Sequence, residues 1–214
     1  MPLPVIDVPF EARHHCWFCG EPCHLLFEYH AQPHAPHPAL AVPACKECRE
    51  LAKKQPLTSL QECRIAVKDA LMRRYSKHLA IGLNWTQEEL AEADFTCKTL
   101  QCFQRSAWFM YEVAKGRLNF AGWPLQLDGV ALTHTQADTR FMFDGVSYSS
   151  VFAAIEHYSK AMTLDKGFLS GIVALLGKQR FAYAVRLARL HIASPAACKR
   201  QVMRELMADH CASN

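Results

Sequence analysis

The sequence predicts a mainly α fold of the α+β kind: a small cysteine-rich module at the amino terminus, a helical body, and a short antiparallel β-meander. Three observations carry this expectation. Two Cys-x-x-Cys pairs, Cys16/Cys19 and Cys45/Cys48, lie in a stretch too rich in proline for long helices. From Leu60 onward apolar residues recur at steps of three and four. Between Trp123 and Tyr148 the period shortens to two around Asp128-Gly129 and Asp144-Gly145.

With 214 residues, 50% hydrophobic and 21% charged, the chain has the apolar material for a core, which excludes fibrous and wholly disordered classes. No apolar run reaches the roughly 20 residues a bilayer-spanning helix needs. The start, Met1 to Asp7, has neither a basic nor a continuous apolar stretch, so the expected location is cytoplasmic, with no membrane partner. Disulfides are uncommon in a reducing cytoplasm, so the ten cysteines point to metal.

Residues 1–57 hold nine of the eleven prolines and six of the eleven histidines and are expected to form their own module, with 32–38 as an exposed loop. Residues 58–122 form a helical region. Its first helix carries Leu60, Cys63, Val67, Leu71, Tyr75 and Leu79 on one face, with Thr58 or Ser59 as cap, and is expected as one long amphipathic helix. Thr86-Gln87-Glu88-Glu89 has the spacing of a capping box and opens a second. A third runs through Leu100, Phe103, Ala107, Tyr111, Ala114 and Leu118 until Gly122 and Pro124 break it. Its Trp108, Phe109 and Tyr111 are expected in the core rather than stacked on bases. Residues 123–214 hold the meander and then basic helices: one capped by Ser149 or Ser150, two around 165–176 and 179–192, and a last opened by Ser194-Pro195.

The paired cysteine spacing is that of two knuckles closing on one ion, and Gly20 suits the turn after the first pair. Four thiolates leave no open coordination position, so zinc held by Cys16, Cys19, Cys45 and Cys48 is expected to be structural and to stabilise a segment unable to fold alone. Cys23, His24, His14 and His15 are spare donors, expected outside the first coordination sphere. Lys46 within the second pair and Arg49, Lys53 and Lys54 after it either balance its negative charge or meet phosphate.

Cys16-Trp17-Phe18-Cys19-Gly20, Phe27-Glu28-Tyr29-His30 and Val42-Pro43-Ala44-Cys45-Lys46-Glu47-Cys48-Arg49 together resemble the zinc-bound, treble-clef form of HNH endonucleases over about 45 residues. The resemblance implies that His30 is the general base activating water, beside a magnesium or manganese ion on the scissile phosphate. The catalytic part is degenerate: Tyr29 stands where an acid or His is expected, Arg49 stands in place of an Asn, and no His follows on the helix after Cys48. His34 and His37 are expected to be loop histidines, either of which could restore an ion site there. More loosely, the layout is similar to the small Cas8-like zinc subunit of type IV CRISPR effectors. That resemblance implies a protein partnered by other subunits of a ribonucleoprotein complex, with no nuclease site of its own.

Arg64, Lys68, Arg73, Arg74 and Lys77 fall along the first helix at spacings that can track a phosphate backbone. Residues 178–204 hold Lys178, Arg180, Arg186, Arg189, Lys199, Arg200 and Arg204 and no acid. These observations predict a zinc-stabilised protein that binds DNA or RNA without cutting it, inside a larger assembly. The alternatives are an HNH-type nuclease using His30 and a protein-interaction module from a phage or other mobile element. The adjacent Glu156 and His157 point about 100° apart on a helix and are assigned no chemistry.

Overall fold

A computed structural model describes residues 3–33, 35–55, 58–132 and 140–212. It is mainly helical, with three two-stranded antiparallel sheets among the described residues. The chain forms two compact units, 1–149 and 150–214. This division differs from the three regions expected above, and the physical reason lies in long-range bonds. The Trp17 indole, in the first knuckle, donates to the carbonyl of Trp123 at 3.0 Å, and the first long helix packs against both the knuckle helix and the next long helix. The cysteine-rich module, the helices that follow it and the hairpins therefore share one unit.

In unit 1, β1 (Leu25–Tyr29) pairs antiparallel with β2 (Leu40–Ala44), placing Phe27 opposite Val42. Phe27 and Tyr29 point inward while Leu26 and Glu28 face solvent, and all of β2 is buried. Cys45 caps the following helix α1 (Lys46–Ala52). Ser59 caps α2 (Leu60–Arg74), its hydroxyl accepting the Glu62 N–H at 3.1 Å. The helix expected to continue to 79 stops at Tyr75 (φ −95°, ψ 12°) and resumes as short α3 (Ser76–Leu79) and α4 (Ile81–Asn84). The Tyr75 hydroxyl is engaged by the network described below.

The capping box forms as expected at α5 (Gln87–Glu92), with the Thr86 and Glu89 side chains exchanging hydrogen bonds with each other's backbone N–H. The 22-residue α6 (Lys98–Asn119) buries Ala107 and Tyr111 against Ile81 and Leu90, with Trp85, Phe95 and Trp108 at the margin; Phe109, expected in the core, is 66% exposed, because its place on the helix turns it away from that cluster. Both Asp-Gly pairs lie at positive φ, Asp128 at 51°, Gly129 at 75°, Asp144 at 53° and Gly145 at 71°, the backbone that a two-residue hairpin turn requires. They close β3 (Gln126–Leu127) on β4 (Val130–Ala131) and β5 (Phe141–Phe143) on β6 (Val146–Tyr148). These are two hairpins in separate sheets; the part of the meander over 133–139 lies outside the described residues.

Unit 2 consists of α7 (Val151–Ala161), α8 (Lys166–Leu176), α9 (Phe181–Leu190) and α10 (Ala196–Ala212). Ser150 and Asp165 cap the first two through their side-chain oxygens. Ala154, Ile155, Tyr158, Leu169, Ile172, Phe181 and Ala184 form its core. Among the described residues no helix is long and apolar enough to cross a membrane.

Candidate metal centre

The first cysteine pair sits in a knuckle whose backbone closes on itself: Gly20 N–H donates to the Cys16 carbonyl at 2.9 Å and Cys16 N–H to the Glu21 carbonyl at 2.8 Å. Gly20 has φ +77°, and a Cβ there would meet the Phe120 ring at 2.8 Å. Only glycine satisfies both the left-handed backbone and this close approach. Trp17 N–H donates to the Pro43 carbonyl at 2.9 Å, which lashes the knuckle to β2. The second pair is placed by the strand-to-helix junction. Cys45 Sγ caps α1 by accepting the Cys48 N–H at 3.4 Å, and Cys48 follows within the first helical turn.

The four Sγ atoms of Cys16, Cys19, Cys45 and Cys48 all lie within 4.8 Å of one another, and Cys19 Sγ is 3.8 Å from Cys45 Sγ. Sulfurs about 2.3 Å from a tetrahedral ion would be roughly 3.8 Å apart, so the arrangement fits a metal ion such as zinc. Cys16, Cys19 and Cys48 are buried and Cys45 is half-buried. Hydrogen bonding from Cys16, joined by Cys48, lowers the Cys19 thiol to about 7; Cys45 is pushed down by its bonds with Cys16, Cys19 and Cys48. The burden of the shared protons falls on Cys16 and Cys48, whose thiols are raised. Such a cluster is poised to exchange its protons for a cation.

A buried cation supports the sulfurs. Arg117, only 7% exposed, donates from Nη2 to Cys19 Sγ at 3.6 Å and pairs with Glu47 Oε2 at 2.6 Å. Its Nη1 donates to the Tyr75 hydroxyl at 2.6 Å, and that hydroxyl donates to Glu47 Oε2 at 2.9 Å. Arg74 reaches Glu47 Oε1 at 2.5 Å. Burial works against the Arg117 charge, but the Cys19 sulfur and the Glu47 carboxylate outweigh it and hold the guanidinium protonated. Burial likewise opposes ionisation of Glu47, and Arg74 and Arg117 overcome it and lower its carboxyl. The sequence reading missed Arg117 and Glu47. The available signal was the three-residue step Tyr111, Ala114, Arg117, which puts a cation on the buried face of α6.

The predicted phosphate-facing cations divide. Arg64 donates to the carbonyls of Phe120 and Ala121, and its guanidinium stacks 4.6 Å from the centre of a Trp17 ring. Lys68 donates to the carbonyls of Arg117 at 2.5 Å, Phe120 at 2.9 Å and Leu118 at 3.0 Å. Both point inward and satisfy the carbonyls left over at the end of α6. Burial, with Arg64 nearby, lowers the Lys68 amine to about 7. They edge a cavity of about 480 Å³ that Trp17, Trp123 and Tyr148 also line. Arg49 is half-buried, its Nε 3.8 Å from Glu50, and Lys53 pairs with Glu50 at 3.2 Å. Lys46, Lys54, Arg73 and Lys77 are exposed, as are Lys178, Arg180, Arg186, Arg189, Arg200 and Arg204. Lys199 is half-buried and pairs with Asp165 at 3.0 Å.

His30 is exposed beside Glu28, 3.8 Å away. Among the described residues the four cysteines form the only gathering of His, Cys, Asp or Glu side chains suited to an ion; His34 lies outside those residues. Tyr29 is fully buried against the His37 ring at 4.8 Å. His37, read as a loop residue, is buried and structural: Nδ1 meets the Pro38 carbonyl at 3.1 Å, and Nε2 accepts the Leu60 N–H at 3.0 Å, serving as a cap for α2 from the preceding module. Among the spare donors, His14, His15 and His24 are exposed and Cys23 is half-buried, and none belongs to the four-cysteine cluster.

The chain matches no known protein-family model, no curated protein and no solved structure.

Proposed function

We propose that this chain is a zinc-stabilised nucleic-acid-binding protein that works without cutting, as a subunit of a larger nucleic-acid-processing assembly. The observation that carries the reading is the distribution of charge. Residues 150–214 hold nine Lys/Arg against four Asp/Glu, a net +5, whereas residues 1–149 hold 15 against 16, a net −1. The excess cations of the second unit stand in solvent, where they displace counterions from phosphates, and affinity falls steeply as salt rises.

The centre supplies the fold rather than the chemistry. Four thiolates close the coordination sphere of zinc, and no position is left for a substrate. The order of knuckle, β1–β2 hairpin and α1, with the second pair at the start of the helix, supports the treble-clef-like resemblance. Tyr29 and His37 are bound up in the core, and among the described residues no cluster of ion-binding side chains of the kind an HNH nuclease needs gathers beside His30. Within this reading the type IV CRISPR subunit is one form the assembly takes.

The test is metal analysis and oligonucleotide binding on one purified sample, with magnesium or manganese added and products separated. The expected result is one zinc per chain, binding of labelled DNA or RNA that weakens with salt, and an intact substrate. Cleavage lost in His30→Ala with zinc retained makes the protein an HNH-type nuclease instead. Binding to an acidic protein with no salt-sensitive oligonucleotide affinity makes it a protein-interaction module.

A further inference from the structure

Unit 2 contains a cleft of about 630 Å³ between the start of α8 and the start of α10, lined by Asp165, Phe168, Lys199, Arg200, Met203 and Arg204 among others. Its walls come from two helices that approach closely: a Cβ on Gly171 would lie 3.3 Å from the Met203 methyl. Three cations line the cleft against one acid, and that acid is fully engaged. Asp165 Oδ1 accepts the Phe168 N–H at 3.0 Å as the cap of α8, and Oδ2 accepts from Lys199 Nζ at 3.0 Å. Asp165 therefore neutralises Lys199 and holds it across the cleft, which leaves the two arginines to set the local charge.

Arg200 and Arg204 are four residues apart on one face of α10 and both are exposed. Neither has an acidic partner among the described residues; Arg204 Nη2 donates only to the neutral Gln201 amide oxygen at 2.8 Å. Side chains at this spacing are neighbours on a helix surface, so the two guanidinium groups can approach one anion together. Phe168 and Met203 give the cleft an apolar floor, a low-dielectric wall that strengthens the field at its mouth. A guanidinium presents a planar fork of N–H donors that matches a phosphate oxygen pair. In unit 1 part of the corresponding set is turned onto carbonyls, Arg64 and Lys68, or onto a carboxylate, Arg74, and the exposed Arg73 and Lys77 line no such cleft.

We propose that this cleft is the phosphate seat of the molecule, in which Arg200 and Arg204 clamp a phosphodiester of a nucleic-acid strand. The proposal rests on the nucleic-acid reading and narrows it to one place and one unit. A strand crossing the cleft meets Arg200 and Arg204 directly, and Lys199 behind them is released toward phosphate only if its bond to Asp165 opens.

The experiment uses the full-length, zinc-loaded protein and measures binding of labelled single-stranded and duplex oligonucleotides from 50 to 200 mM salt. Three proteins are compared: wild type, Arg200→Glu/Arg204→Glu, and Arg73→Glu on α2 combined with Lys77→Glu on α3. The cleft pair is expected to lose more than about tenfold in affinity and to flatten the salt slope by about 2, one for each phosphate contact removed. The Arg73/Lys77 pair is expected to change affinity by less than about threefold. Circular dichroism checks the fold, and Arg200→Gln/Arg204→Gln replaces the charge reversal if it unfolds the unit. Binding and slope like the wild type in the cleft pair overturn the cleft while leaving the broader reading standing. A wild-type protein that binds neither oligonucleotide overturns both.

Discussion

The two units differ in the use they make of positive charge, although unit 1 also leaves Lys46, Lys54, Arg73 and Lys77 in solvent and unit 2 pairs Lys199 with Asp165. In unit 1 the cations with the most structured surroundings face inward: Arg117 on Cys19 and Glu47, Lys68 and Arg64 on the carbonyls that end α6. In unit 2 Lys178, Arg180, Arg186, Arg189, Arg200 and Arg204 all stand in solvent. A buried cation is retained only where specific acceptors replace its water, so those of unit 1 belong to the fold. Cations left in solvent cost the fold little and remain available to a partner. The difference teaches that a count of lysines and arginines along a chain does not locate a binding surface; their destinations do.

The comparison breaks most decisively at the four-cysteine centre. Chelation, or Cys48→Ala, removes a constraint worth on the order of 10 kcal/mol in small zinc modules. It is expected to unfold the knuckle, the β1–β2 hairpin and α1 while the helices of unit 2 keep their signal; hydrogen exchange with and without chelator measures this. Loss of protection throughout both units would show that unit 2 depends on the centre.

Next in size is Arg117→Met. It strands Glu47 and the Cys19 sulfur without their buried counter-charge, at a cost of about 3–5 kcal/mol, read as a drop in the denaturation midpoint of unit 1. Unit 2 has its own weak point in His157, 4% exposed, whose imidazole burial pushes down from 6.5 to about 4. Between those values the unfolded chain holds a proton that the folded unit refuses. The stabilisation is therefore complete above pH 6.5 and lost as pH falls toward 4, by as much as about 3 kcal/mol. Urea titrations across that range follow it, and His157→Phe is expected to flatten the dependence.

The smallest stability effect sharpens the comparison most. Lys68→Met removes three bonds to the end of α6 and is expected to cost about 1–2 kcal/mol, with no change in the salt slope of oligonucleotide binding. Arg200→Glu/Arg204→Glu is expected to do the reverse, shifting stability by less than about 0.5 kcal/mol and lowering the slope. If Lys68→Met lowers the slope as well, the assignment of inward cations to the fold is wrong.

Much of the framework was legible because its causes are local. Cys-x-x-Cys followed by glycine, the Thr86–Glu89 capping box, Ser150 before α7 and the two Asp-Gly turns each specify a geometry within four or five residues, and each forms. The break at Tyr75 and the inward role of His37 were not legible, since each side chain is held by residues tens of positions away: Tyr75 by Glu47 and Arg117, His37 by Leu60. Periodicity also favoured Arg64 and Lys68 as an outward basic face, because spacing alone distinguishes the sides of a helix without saying what a second helix will place against them.

By itself, then, the sequence determined the mainly α class, the paired cysteines and most helix starts, all consequences of short-range backbone chemistry and side-chain period. Only the tertiary structure decided that four sulfurs converge within one ion's reach, that Arg117 comes from α6 to support them, and which cations meet carbonyls rather than water. The physical reason is that a charge or a thiol acquires its role from the groups that desolvate and pair with it, and packing brings those groups from distant parts of the chain.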